Sequence, residues 1–271
     1  IFNNKVLSSD EFQKYGVPVI GSITDSKEKV ISYSKFIDNA TSTSFRMLRV
    51  ELSLLFGTGQ TSCKTILITS LNSKEGKTFT AINLGRALAD INKKVVVIDI
   101  DLRYQGLAEH LQINPAQKGV SDYVLDETLY LKDITIPSSE FETLSFVSSG
   151  PTPMKPNELL SRPRLESLID QAKSNYDYVI MDARSIDKAY GTLLLVQHSD
   201  ITLLVCKAGK LMTEELKTIR NHFFKSRLGN MQVVFNNCKI KFDDNSCSNG
   251  VIQLLYSRCY TAKTQLCSLH N

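Results

Sequence analysis

The chain has 271 residues, 42% hydrophobic and 22% charged, the composition of a globular protein with length for one large α/β domain or two small ones. A net charge of +4, with basic residues interleaved among acidic ones, gives no footing for a nucleic-acid partner, and none is expected. The six cysteines (Cys63, Cys206, Cys238, Cys247, Cys259 and Cys267) form no Cys-x-x-Cys pair and have no histidine at ligand spacing, which argues against zinc; Cys63, Cys206 and Cys238 sit in or beside apolar runs and read as buried thiols in a reducing compartment.

No apolar run reaches the roughly 18 residues of a bilayer-spanning helix, and no basic-then-apolar leader opens the chain. It begins on Ile1, as a fragment of a longer protein would. Residues 1–40 read as a linker, in which "YGVPVIGSI" is an extended segment ending in a turn. "STSFRMLRVELSLLF" reads as a helix: Phe45, Leu48, Leu52 and Leu55 recur at helical spacing, and Arg46 and Arg49 share another face.

An alternation of strand and helix follows. "KTILITS" is a buried strand, Leu71–Gly76 a loop, and "KTFTAINLGRALADI" a helix with Ala81, Leu84, Leu88 and Ile91 inward. "KKVVVIDID" is a second buried strand, aliphatic throughout, as a parallel sheet covered on both faces requires. Residues 115–140 read as a helix with loops, and "TLSFVSSG" as a strand. "PNELLSRPRLESLIDQAKSNY" carries one or two helices, with Pro163 at a start or a break. "YDYVIMDA", "DITLLVCKAG" and "MQVVFNN" are strands, "AYGTLLLVQHS" is helical, and "TEELKTIRNHFFKS" is a helix with Thr213 as N-cap. The pattern predicts a doubly wound, mostly parallel α/β sheet with helices on both faces, over residues 41–240. Residues 241–271 lose this periodicity and read as a loosely ordered tail.

Three strand ends carry chemistry. Gly76-Lys77-Thr78 joins a strand to a helix, the setting of a phosphate-binding loop. There, loop N–H groups face phosphate oxygens, Lys77 reaches the β- and γ-phosphates, and the Thr78 hydroxyl ligates Mg²⁺. Asp99 and Asp101 stand two apart at a strand end, on one face. They are either solvated acids or ligands of a metal or water beside the phosphates. Asp182 ends a further aliphatic strand, in the manner of a Walker B acid.

With these residues the chain resembles the cytoplasmic domain of bacterial protein-tyrosine kinases, the P-loop kinases of capsule and exopolysaccharide export. The resemblance runs from "VPVIGSI" to "VVFNN" and is carried by "SFRMLRVELSLL", "ITSLNSKEGKTFTAINLGRALA", "KKVVVIDIDLR", "SGPTPMKPNELL" and "YDYVIMDA". It implies an ATP- and Mg²⁺-dependent tyrosine autokinase at the cytoplasmic face of the bacterial inner membrane. Its partner would be a membrane polysaccharide co-polymerase, fused upstream or separate. The implied nucleotide contacts are Ser73, Lys74, Glu75, Gly76, Lys77, Thr78 and Phe79, with Asn236 near the adenine. Lys77, Asp99, Asp101 and Asp182 carry catalysis, and Thr78, Asp99 and Asp182 hold the metal. Arg46 and Arg49 match a subunit-contact motif that builds homo-oligomeric rings. Tyr256 and Tyr260 are the implied phosphoacceptors in the chain's own tail.

The chain departs from this pattern in several places. Ser73 and Lys74 replace the usual Pro-Gly, which puts a side chain where the loop needs positive φ; Lys74 is read as pointing to solvent. Thr43 replaces a Glu of the subunit-contact motif. Ala183, Arg184 and Ser185 replace Thr-Pro-Pro after Asp182, and a loss of loop rigidity is expected there. Gly191 replaces a common Asp, and the tail holds few tyrosines. The alternative reading is a degenerate nucleotide-binding scaffold of the export complex. A partition-type ATPase would carry a lysine at Asn72, and none is there.

Overall fold

The computed structural model describes residues 4–26, 40–57, 62–186, 190–225, 228 and 230–239. Tyr256 and Tyr260, with the rest of the tail, lie outside the described residues.

The aliphatic runs form one eight-stranded sheet: β1 (Val19–Thr24), β2 (Lys64–Ser70), β3 (Val95–Asp99), β4 (Ile136–Pro137), β5 (Leu144–Val147), β6 (Tyr178–Asp182), β7 (Ile201–Lys207) and β8 (Met231–Cys238). The order is β1-β8-β7-β2-β6-β3-β5-β4. Every pairing is parallel except β4 with β5. All seven residues of β2 and all five of β3 are buried. That follows from helices covering both faces, which leaves no polar side of the strand to alternate with.

Helices α1 (Asp10–Gln13), α2 (Ala40–Phe56), α3 (Lys77–Ala89), α4 (Gly106–Leu111), α5 (Val120–Leu125), α6 (Leu131–Ile134), α7 (Pro156–Leu159), α8 (Pro163–Asn175), α9 (Tyr190–Leu195) and α10 (Glu215–Phe224) complete the described fold. On one face Phe45, Leu48 and Leu52 of α2 and Ala81, Leu84 and Leu88 of α3 pack on Ile66, Val97 and Ile180. On the other, Leu165, Leu168 and Ala172 of α8 pack on Leu67, Val96 and Val179. The α3 contact needs Gly85, because a Cβ there would lie 2.8 Å from Val97 Cγ2. The segment between Pro156 and Tyr176 is two helices, each with proline at its first position, where the missing N–H is no loss.

The structure differs from the sequence reading in several places. Residues 4–24, read as part of a linker, belong to the sheet unit: β1 pairs in parallel with β8, and Val6, Phe12 and Val17 are buried beside Leu216 and Ile219 of α10. Pro18 stands at the start of this edge strand, where no ladder donor is needed. Thr213 does not cap α10; its hydroxyl donates to the Asn4 carbonyl at 3.0 Å, tying the N-terminal segment to the helix entry. Ile91, expected inward, lies past the end of α3 and is 43% exposed, and Leu55, at helical spacing with the apolar positions of α2, is 45% exposed in its last turn.

Cys63, Cys206 and Cys238 are free thiols. Burial pushes Cys63 and Cys238 up to about 11 and raises Cys206 as well, so none is a poised nucleophile.

Candidate active site

The carboxyl ends of β2, β3, β6, β7 and β8 surround a cavity of about 650 Å³. Parallel strands with helices behind them direct loops and helix N-termini to this one edge. Ser73, Lys74, Gly76, Lys77, Thr78, Phe79, Asp99, Asp101, Asp182 and Asn236 all line it. Glu75 stands behind the wall, fully buried. A second cavity of about 690 Å³, lined by Lys94, Tyr130 and Lys132 among others, lies near the amino ends of β3 and β5 and holds none of the expected site residues.

The loop between β2 and α3 owes its shape to two residues with positive φ. Gly76 has φ 97°, and a Cβ there would meet Asn236 Nδ2 at 2.1 Å, so any side chain is excluded by both backbone and neighbour. Lys74 has φ 59°, so the positive φ expected of the family's glycine is adopted here by lysine, at a cost of about 1 kcal/mol. Its side chain is exposed at the cavity rim, in keeping with the solvent-facing reading.

The loop is held from behind. Asn72 N–H donates to Glu75 Oε2 (2.8 Å), and Asn72 Nδ2 donates to Glu215 Oε1 of α10 (2.6 Å). Asn236 Nδ2 donates to the Glu75 carbonyl at 2.9 Å, and its Oδ1 accepts from Asn237 N–H at 2.8 Å. Lys210 Nζ bonds the Ser73 carbonyl. Asn236, expected at the adenine, thus lines the cavity while bracing the loop. Burial pushes the Glu75 carboxyl up to about 7, opposed by the Asn72 amide.

The acids sit opposite the loop. Asp99 and Asp182 are register partners on β3 and β6, both nearly inaccessible. Thr78 Oγ1 donates to Asp182 Oδ2 at 2.6 Å. Asp182 Oδ1 is buried and receives no hydrogen bond within the described structure. Asp99 Oδ1 accepts from Asp101 N–H and Oδ2 from Leu107 N–H, each at 3.1 Å. Burial, then the neighbouring Asp182 carboxylate, raise Asp99 well above the usual carboxylate range. Burial raises Asp182 to about 6, with Thr78 and Lys77 opposing. Two desolvated carboxylates side by side are costly to ionise without a cation.

That arrangement fits Mg²⁺. Among the described residues no three His, Cys, Asp or Glu groups form a closed metal cage. Mg²⁺ does not need one, since it takes one or two protein ligands and completes its shell with phosphate and water. The Thr78 hydroxyl, the bare Asp182 Oδ1 and the Asp99 carboxylate are the donors that fit it.

Sequence reasoning missed Arg103, Tyr104, His110, Arg184, Lys207 and Asn237, which also line the cavity. The signal for Arg184, Lys207 and Asn237 was their place at or just past strand ends; the other three lie in the turn and helix after Asp101, which nothing local marks.

The loop after Asp182 is not loose over its described part. The Arg184 carbonyl accepts from Thr69 Oγ1 (2.7 Å) and Thr192 Oγ1 (3.0 Å), and Ile186 N–H donates to the Ser70 carbonyl (3.0 Å). Side-chain hydroxyls from β2 and α9 supply the restraint that prolines were expected to provide.

Arg46 and Arg49 lie away from the cavity. Both approach Asp90 Oδ2, at 3.8 and 3.6 Å, and Arg49 also donates to the Ala87 carbonyl at 2.6 Å. Asp90 caps the far end of α3, about 20 Å along the helix from Lys77.

Comparison with known proteins meets the motif-based resemblance. A family profile described as an AAA domain matches residues 63–233. "Tyrosine-protein kinase ptk" of Acinetobacter johnsonii is 27% identical over 186 residues, 69% of this chain and 25% of that protein. "Putative tyrosine-protein kinase CapB" of Staphylococcus aureus is 25% identical over 221 residues, 81% of this chain and 95% of that one. The chain therefore spans a quarter of the first relative's length and nearly all of the second's. Among solved structures, the kinase domain of Escherichia coli tyrosine kinase ETK superposes with a TM-score of 0.76 at 21% identity, covering 90% of this chain and 99% of that one, a likeness of fold.

Proposed function

The chain belongs to the AAA domain family, and from that premise we propose that it is an ATP-dependent protein-tyrosine autokinase of capsule or exopolysaccharide export. The observation that carries the reading is the convergence of Lys77, Thr78, Asp99, Asp101 and Asp182 on one cavity behind a glycine-shaped loop. Its relatives named tyrosine-protein kinases support the choice of acceptor.

In the proposed reaction the bond from the γ-phosphorus to the β,γ-bridging oxygen breaks, and a bond to a tyrosine oxygen forms in line with it. Lys77 offsets charge on the β- and γ-phosphates, and the N–H groups at the start of α3 face the same oxygens. Bound Mg²⁺ would neutralise phosphate charge, held by Thr78, Asp99 and Asp182. The hydroxyl proton passes to the Asp99 carboxylate, which acts as the base.

Tyr256 and Tyr260 are the proposed acceptors, reached in trans within a ring whose contacts involve Arg46 and Arg49. Each phosphotyrosine would add about −1.5 to −2 charge, and repulsion between modified tails would loosen the ring. The proposed setting is the cytoplasmic face of a bacterial inner membrane, beside a polysaccharide co-polymerase. Among the described residues no helix is long and apolar enough to cross a membrane.

Peptide mapping by mass spectrometry after incubation with Mg·ATP tests the assignment. Phosphate on Tyr256 or Tyr260 supports it. Nucleotide binding with no modified tyrosine anywhere would leave a nucleotide-responsive scaffold instead.

A further inference from the structure

The segment after Asp182 places an arginine where the kinase pattern has a proline, and the fold fastens its backbone to β2, the strand that leads into the phosphate loop. Ala183 N–H donates to the Ile68 carbonyl at 2.9 Å, and Ile186 N–H to the Ser70 carbonyl at 3.0 Å. Between them the Arg184 carbonyl takes two hydroxyl donors, from Thr69 and Thr192. The backbone on both sides of Arg184 is thus fastened to β2, the strand that delivers Lys77 and Thr78. The Arg184 side chain is half-buried and lines the cavity. Among the described residues no carboxylate lies within ion-pair distance of its guanidinium, whereas Arg46, Arg49 and Arg86 each have one.

Topology says which part of a nucleotide Arg184 would meet. Asn236 and Asn237 end β8, two strands from β2 on one side. Asp182 and Asp99 end β6 and β3, on the other side. A nucleotide with its base toward β8 and its phosphates on the loop at Gly76–Thr78 runs out toward β6, where its terminal phosphate meets the residue just past Asp182.

We propose that Arg184 reads the γ-phosphate: a guanidinium held beside the loop by its own clamped backbone, donating to terminal phosphate oxygens and distinguishing a nucleoside triphosphate from a diphosphate. A proline there has no side-chain donor, while an arginine fork presents two parallel N–H groups to a phosphate. Thr69 and Thr192 supply the backbone restraint that the proline would have given. The inference rests on the reading of the cavity as a Mg·ATP site.

Isothermal titration of the full chain with Mg·ADP and with the Mg complex of the β,γ-imido analogue of ATP tests it, on wild type, Arg184→Ala and Arg184→Lys. The expected result is that Arg184→Ala weakens the triphosphate analogue by about tenfold or more while ADP changes by less than about twofold, with Arg184→Lys between them. Equal weakening of both ligands, or of neither, would overturn the proposal. A thermal melt of each variant separates lost recognition from lost folding, and the lysine variant keeps the test open if the alanine variant is unstable. A wild-type chain that binds neither ligand would overturn the reading of the cavity itself, an outcome visible before any variant is compared.

Discussion

Glu75 shows how much of the loop's behaviour is set by single residues. It is fully buried, its carbonyl receives Asn236, and its carboxylate receives the Asn72 amide. The carboxyl is raised from 4.5 to about 7, so the folded state keeps a proton that the unfolded state gives up. The unfolded state therefore binds fewer protons through that window, and stability falls as pH rises from 4.5 to about 7. Glu75→Gln removes this loss while keeping an acceptor for Asn72. It is expected to be more stable than wild type at about pH 8, by about 3 kcal/mol, and nearly equal to it at about pH 4. Denaturant unfolding at the two pH values measures this, and a gain of the same size at both would show that the carboxylate's charge is not the cause. Lys74 makes the complementary point, because a lysine at φ 59° keeps a conformation that glycine would hold without strain.

At the scale of elements, the loop after β6 is held by its neighbours more than by its own sequence. Thr69 from β2 and Thr192 from α9 donate to the same Arg184 carbonyl. Either hydroxyl alone satisfies that acceptor, so Thr69→Val and Thr192→Val should each cost about 1 kcal/mol, and the double variant more than the sum. A double-mutant cycle of unfolding free energies checks this; strict additivity would mean that the two donors act independently. The same contrast explains what the sequence made legible. β2, β3, β6, β7 and α3 were readable because continuous aliphatic runs and helical spacing are local signals. Gly76, Lys77, Thr78 and the strand-end acids were readable because their spacing from those runs is local too. The Thr69–Arg184 bond spans 115 residues and the Asn236–Glu75 bond 161, and no local pattern reports a partner so distant. The strand β1 was obscured by the Pro and Gly around it, since pairing with β8 at a sheet edge, not propensity, makes it a strand.

At the scale of the molecule, the sheet order gathers strand ends at one cavity, so the site draws on residues from Ser26 to Asn237 and exists only when the sheet is assembled. It gathers the cations Lys77, Arg184 and Lys207 around the acids Asp99, Asp101 and Asp182, a charge pattern matched to a polyphosphate with its metal. The α2–α3 end, where Arg46 and Arg49 meet Asp90, is about 20 Å away, so the proposed subunit contact would lie apart from the chemistry. The central claim is that this cavity moves a phosphoryl group from ATP to tyrosine. Its most direct test is phosphotyrosine immunodetection on the purified chain with Mg·ATP, beside Lys77→Ala. The expected result is a time-dependent signal in wild type that falls by about a hundredfold or more in Lys77→Ala. A wild type without signal, or a signal that Lys77→Ala leaves unchanged, would contradict the account.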